Sequence, residues 1–169
     1  MFLSPCIYAQ LKRSAKEAVP YSQEALTQDL LRVRIAWEDC QSSRDRNAIY
    51  GYLTAVFDLV IWWAAEDRAI SRARWASGLC RLDLPSDEPF AAIILVTAHR
   101  KKVDRRTRSK WSRVLRYSTE YKPTAEPLAA FVRRKGGINK CAARFTHCFG
   151  RRGSHVSVGV PPEVGNGAP

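Results

Sequence analysis

The chain has 169 residues, with 28 Lys and Arg against 16 Asp and Glu, a net charge of +12. This length and a hydrophobic fraction of 46% suffice for one packed core without metals or disulfides, and they exclude a disordered basic tail. The charge is segregated: residues 97–152 hold 17 basic residues and three acidic ones (Asp104, Glu120, Glu126), a net of +14, whereas the rest carries 11 basic against 13 acidic residues, a net of −2.

A near-neutral part joined to a strongly basic one reads as a scaffold carrying a polyanion-binding surface. The five cysteines (Cys6, Cys40, Cys80, Cys141, Cys148) are odd in number, scattered and free of any CxxC spacing. They are expected to be reduced thiols in a cytoplasmic protein. The start, Met1 to Pro5, lacks the basic and apolar runs of a signal peptide. The most apolar stretch, Leu53 to Ala65, is 13 residues long and contains Asp58. It is too short to span a bilayer and suits a buried helix, so no membrane partner is expected.

Residues 1–21, with Pro20 near their end, have weak periodicity and are expected to form a loosely ordered arm with one short helix. Ser22 opens a helical pattern in which Leu26, Leu30, Val33 and Trp37 share one face. Ser42 and Ser43 mark a break, and Asp45 three residues after Ser42 suggests a capping box. Ile49, Leu53, Val56, Phe57, Val60, Ile61 and Ala64 trace the next apolar stripe. That helix either breaks near Asp67 or runs on past Ile70 towards Trp75, with Gly78 as a stop. Residues 79–88 read as a linker.

Pro89 fits the first turn of a new helix, with Asp87 and Glu88 at its positive end. The run Phe90 to Ala98 is apolar throughout; periodicity does not separate helix from strand there, and its helical neighbours favour helix. Asp104 is a good N-cap for a helix reaching about Tyr121. Pro123 and Pro127 bracket a turn. Leu128, Phe131 and Val132 begin a short helix ending at Gly136-Gly137, and Ile138, Cys141, Ala142 and Phe145 lie on another. From Gly150 onward Gly, Pro and Ser dominate.

The stretch from Ala98 to Trp111 (AHRKKVDRRTRSKW) resembles the second half of a helix-turn-helix. Ala98 stands as the small residue of the first helix, Val103 as the apolar turn residue, Asp104 as the cap and Trp111 as the anchor of the recognition helix. The resemblance implies that the first turn of that helix enters a major groove. Lys101, Lys102, Arg105, Arg106, Thr107, Arg108 and Lys110 would then reach base edges or nearby phosphates, since Arg grips guanine with two hydrogen bonds. Arg113 and Arg116 would lie near flanking phosphates. Two positions depart from the motif: Lys102 stands where Gly is usual, and Arg108 where a buried aliphatic is usual.

A second basic stretch, Phe131 to Phe145, resembles the first helix of some repressor-type helix-turn-helix domains. Gly150, Gly153 and Pro161 interrupt any recognition helix after it, so Gly136-Gly137 reads as a tight interhelical turn. Arg133, Arg134 and Lys135 then form either a phosphate clamp or a solvated helix end, where cations are favourable anyway.

Other signals carry less chemistry. Cys141, His147, Cys148 and His155 match no common zinc spacing, and Cys141 falls on an apolar face. Asp58 sits within the most apolar helix, with Arg72 and Arg74 as candidate partners. No paired carboxylates, phosphate loop or nucleophile elbow is present. Trp62 and Trp63 are adjacent, so either one is exposed for a protein contact such as a homodimer, or both are buried between several helices.

The sequence therefore predicts a mostly α-helical protein. A helical-bundle scaffold (22–80) supports a basic, helix-turn-helix-like region (86–150), with a disordered tail (151–169). The expected function is duplex DNA binding without catalysis, cofactor, metal or small-molecule substrate. Its rivals are a non-specific nucleic-acid or RNA-binding accessory protein, a protein-interaction adaptor with a basic face, and an enzyme built around Asp58 or Cys141 and His147.

Overall fold

The structure, a computed structural model, describes residues 21–82, 88–98 and 102–149. Among these residues there are seven α-helices and no strand, the mostly α architecture that the sequence predicts. Of the expected arm at 1–21 only Tyr21 is described, and the expected tail at 151–169 lies outside the described residues.

Helix α1 spans Gln23–Ser42. The Ser22 hydroxyl accepts from the Ala25 amide at 3.2 Å and starts it, relieving one of the unpaired N–H groups of the first turn. Leu26, Leu30, Val33 and Trp37 are buried on one face, as their spacing predicts. The expected capping box at Ser42 does not form. Ser42 ends α1, its hydroxyl donating to the Glu38 and Asp39 carbonyls, while Asp45 accepts from the Asn47 amide at 2.8 Å. Short polar side chains bond their own backbone this way at helix ends and turns.

Helix α2, Ala48–Ala65, is the centre of the bundle and packs against every other helix except α7 (Gly137–Phe149). Its buried face is turned from the predicted stripe. Tyr52, Leu59 and Trp63 join Leu53, Val56, Phe57 and Val60 inside, whereas Ile49 and Ile61 are half-buried and Ala64 is exposed. A helix surrounded on several sides buries more than one stripe. It stops before Asp67, which adopts φ +56°, a left-handed conformation that Asp tolerates better than most residues.

Helix α3, Ala69–Leu79, follows. The predicted stop at Gly78 is incorrect, because Gly78 lies within α3. The chain turns at Arg81, with φ +51°, and the Leu82 amide reaches back to the Ser77 carbonyl at 3.0 Å. That is a Schellman-type closure made with an arginine in the position glycine usually takes.

The apolar run is helical: α4 spans Pro89–Thr97. The Glu88 carboxylate accepts from the Phe90 and Ala91 amides, and Pro89 occupies the first turn, where its missing N–H costs nothing. Helix α5 is Arg105–Tyr121 and α6 is Leu128–Arg134. Gly136 and Gly137, at φ +94° and +87°, make the turn into α7 with a conformation that favours glycine.

Buried residues from Leu26 to Phe145 form one cluster, so the neutral and basic parts of the chain share a core. At its centre the rings of Trp37, Tyr52 and Trp111 meet edge to face, with centroids 5.1 to 6.1 Å apart. The Tyr52 hydroxyl is 2.9 Å from Thr97 Oγ1, which also donates to the Ile93 carbonyl. Burial pushes the Tyr52 phenol well above its ordinary pKa, so it stays a neutral hydrogen-bonding group. Trp111→Ala is expected to lower the unfolding free energy by about 3–5 kcal/mol, the range for a buried large aromatic. Tyr52→Phe should cost about 1 kcal/mol, one net hydrogen bond. Urea denaturation measures both, and equal small losses would remove Trp111 as the anchor.

Candidate nucleic-acid interface

Helix α5 is held at its start by Asp104. One carboxylate oxygen accepts from the Thr107 amide at 2.8 Å and the other from the Thr107 hydroxyl at 2.9 Å. These bonds keep the Asp104 carboxyl below its ordinary pKa. Thr107 is thereby committed to the cap, and its hydroxyl is spent.

Burial along α5 begins only at Trp111; Arg105 to Lys110 are exposed or half-buried. Lys102, Arg105 and Arg106 are exposed, and among the described residues no hydrogen bond, ion pair or ring contact engages them. No acidic residue lies in the first turn of α5. Three cations thus gather at the positive end of a helix dipole, which disfavours each by about 0.3–1 kcal/mol. Only the Asp104 cap opposes them, so an incoming anion would be strongly welcome there.

Arg108 has a different task. It is half-buried, and its Nη1 donates to the Val103 carbonyl at 2.6 Å. Where the motif wants an aliphatic, the guanidinium instead satisfies a carbonyl of the turn, and Val103 itself is buried. Lys110, two residues further on, is half-buried. Lys101 lies outside the described residues.

The remaining candidates are bound to the scaffold. Arg113 donates to the Ser109 carbonyl and, at 2.9 Å, to the Thr146 hydroxyl of α7. The Arg116 guanidinium lies 4.5 Å from the Phe145 ring centroid. Together they fasten α7 to α5. Arg133 lies over the Tyr50 ring at 4.9 Å, and Arg134 forms a two-pronged ion pair with Glu126. The Lys135 ammonium is 5.9 Å from the Phe131 ring. No hydrogen bond, ion pair or ring contact among the described residues joins this cluster to Arg105 and Arg106.

Two exposed cations were not among the predicted contacts. Lys140 and Arg144 lie one turn apart on the solvent side of α7, and Arg144 donates to the Lys135 carbonyl at 2.8 Å. Their i, i+4 spacing opposite Cys141, Ala142 and Phe145 is the signal that marks them.

Asp58 is exposed, not enclosed. Partial burial raises its carboxyl pKa, and the Lys122 charge opposes the rise. Its predicted partner Arg72 pairs with Glu66 instead, which the break after α2 brings alongside α3. Among the described residues no three His, Cys, Asp or Glu side chains converge as a metal site; Cys141 is buried, whereas His147 and Cys148 face solvent. His155 lies outside the described residues.

No protein-family model matches this chain, and neither a curated protein nor a solved structure matches it.

The division between bound and unbound cations is measurable. Arg108→Ala should cost about 1–2 kcal/mol of stability, because a buried carbonyl loses a charged donor. Arg105→Ala should change stability by less than about 0.5 kcal/mol, the usual range for an exposed side chain. Urea titration of both variants tests this, and equal costs would contradict the assignment.

Proposed function

We propose that the protein is a non-catalytic duplex-DNA-binding protein that presents the first turn of α5 to the major groove. The observation that carries this reading is the set of exposed, unengaged cations Lys102, Arg105 and Arg106 at the start of a capped helix. That helix belongs to the +14 segment and projects past its own buried face. Arg105 and Arg106 are the base-reading residues, each able to grip a guanine edge. Lys110, Arg113 and Arg133 lie on exposed or half-exposed ground and supply phosphate contacts that position without reading.

The link between α4 and α5 is residues 98–104, longer than the three- or four-residue turn of a standard helix-turn-helix. Ala98, read as the small residue of the first helix, caps α4 and lies outside it, so the stretch departs from the standard motif and the proposal rests on the exposed cations rather than on the turn. A second reading, non-selective binding of nucleic acid including RNA, is favoured by the cations held against rings and carbonyls. Those still attract phosphate but are not free to follow base edges.

Binding should weaken steeply with salt, since each neutralised phosphate releases counterions. Arg105→Ala should lower the preference for one duplex over others by about 1–3 kcal/mol, the worth of one good Arg–guanine pair. Arg133→Ala should weaken all sequences evenly and reduce the salt slope by about one. Fluorescence anisotropy on a panel of duplexes measures both. Even weakening by both variants would leave only the non-selective reading, and no binding near 150 mM salt, where charges beyond ~8 Å are screened, would remove both readings.

A further inference from the structure

The neutral half carries a surface that the nucleic-acid reading does not use. A groove of about 360 Å³ runs between α1 and α2, lined by Asp29, Arg32 and Val33 on one side and Ala55, Asp58, Leu59 and Trp62 on the other. Of the two adjacent tryptophans, Trp63 is fully buried and Trp62 is 45% exposed. The exposed indole continues into further aromatic surface. Tyr21 lies 6.4 Å from Trp62 and 6.2 Å from Trp75, which is itself 37% exposed. A half-exposed tryptophan backed by other rings is the type of anchor that dominates protein interfaces.

The charges beside that anchor are unsatisfied in a particular way. The Arg32 side chain is 80% exposed, and its ion pair to Asp29 is long, 3.7 Å. Asp29 accepts from the Tyr21 hydroxyl and from Trp63 Nε1 at Oδ2, and Arg32 faces its Oδ1. Asp58, across the groove, has no hydrogen bond or ion pair among the described residues. One largely exposed cation, held by a single long ion pair, and one carboxylate without a hydrogen bond or ion pair among the described residues therefore flank one exposed indole.

That arrangement is self-complementary in charge. A phosphate backbone would meet the Asp58 carboxylate. A basic peptide would satisfy Asp58 and confront Arg32, and an acidic peptide would do the reverse. A second copy related by a two-fold axis satisfies both at once, because in such an interface residue i meets j and j meets i. We infer that the α1–α2 groove is a self-association surface, in which Arg32 of each copy pairs with Asp58 of the other across apposed Trp62 rings. This inference is independent of nucleic-acid binding, although a dimer would present two copies of α5, as readers of paired half-sites do.

The test is sedimentation velocity of the full chain without nucleic acid, over a concentration series. The wild-type protein should show a monomer–dimer equilibrium. Arg32→Glu and Asp58→Arg should each weaken the dimer by at least about tenfold, since each sets like charges against each other. The double exchange Arg32→Glu with Asp58→Arg should recover most of that loss, and Trp62→Ala should weaken the dimer without touching the charges. All three substituted side chains lie on the surface, and circular dichroism confirms that each variant is folded. A wild-type monomer at every concentration overturns the inference and leaves the face to another occupant, this chain's residues 1–20 or a different protein. A dimer indifferent to the single exchanges, or one that the double exchange does not recover, overturns it equally.

Discussion

The basic half of this protein joins the neutral half at an aromatic contact, the meeting of Trp111 with Trp37 and Tyr52. Six cations lie between Arg105 and Arg116 against no acid in that span, so α5 repels itself along its length. Most of the stability of a helix within a protein comes from packing of its apolar face. What holds α5 is the burial of Trp111, Val114, Leu115 and Ser118 against the scaffold. Trp37 comes from α1, Tyr52 from α2 and Trp111 from α5, and the Tyr52 hydroxyl adds α4 through Thr97. Four helices thus fix their relation at one point, and the charged surface is carried by a core whose largest contributors come from the neutral half.

The second constraint is the shortage of carboxylates. Residues 97–152 hold three acids for 17 cations, and among the described residues of this segment only Arg134 forms an ion pair. Other cations turn to carbonyls and ring faces instead. Arg108 serves Val103, Arg144 serves Lys135, and Lys122 donates to the Pro123 and Glu126 carbonyls. Arg116 and Arg133 lie over Phe145 and Tyr50. Such contacts leave the charge uncancelled while fixing its position. The structural cations therefore still contribute to a positive field, alongside the exposed Lys102, Arg105 and Arg106 at the start of α5. The same economy explains why Arg134 and Glu126, a two-pronged pair, are the exception in this region.

Much of the fold was legible in the residues. The α1 stripe, the Asp104 cap, the α5 end at Tyr121 and the Gly136-Gly137 turn all rest on local chemistry, and local chemistry is what a sequence displays. Errors fell where tertiary contacts decide. On α2 the spacing alone pointed to Ile49 and Ala64, but contact with several helices turned Tyr52, Leu59 and Trp63 inward. Gly78 looked like a stop, yet the closure was made by hydrogen bonds to Ser77 that let Arg81 take the left-handed position. Within the candidate interface the charge density was visible from the start. Which cations are spent on the scaffold was not, because Arg113 finds Thr146 33 residues away and Arg133 finds Tyr50 across the bundle.

The central claim is that the unengaged cations of α5 read duplex DNA. It is tested most directly by selecting binders of the full chain from a random duplex library at about 150 mM salt, where exposed charges separated by more than ~8 Å are screened. The account predicts recovery of a defined sequence motif containing guanine, lost from the selection when Arg105 and Arg106 are replaced by alanine. Duplexes recovered without any shared motif, or no duplexes at all, would contradict it.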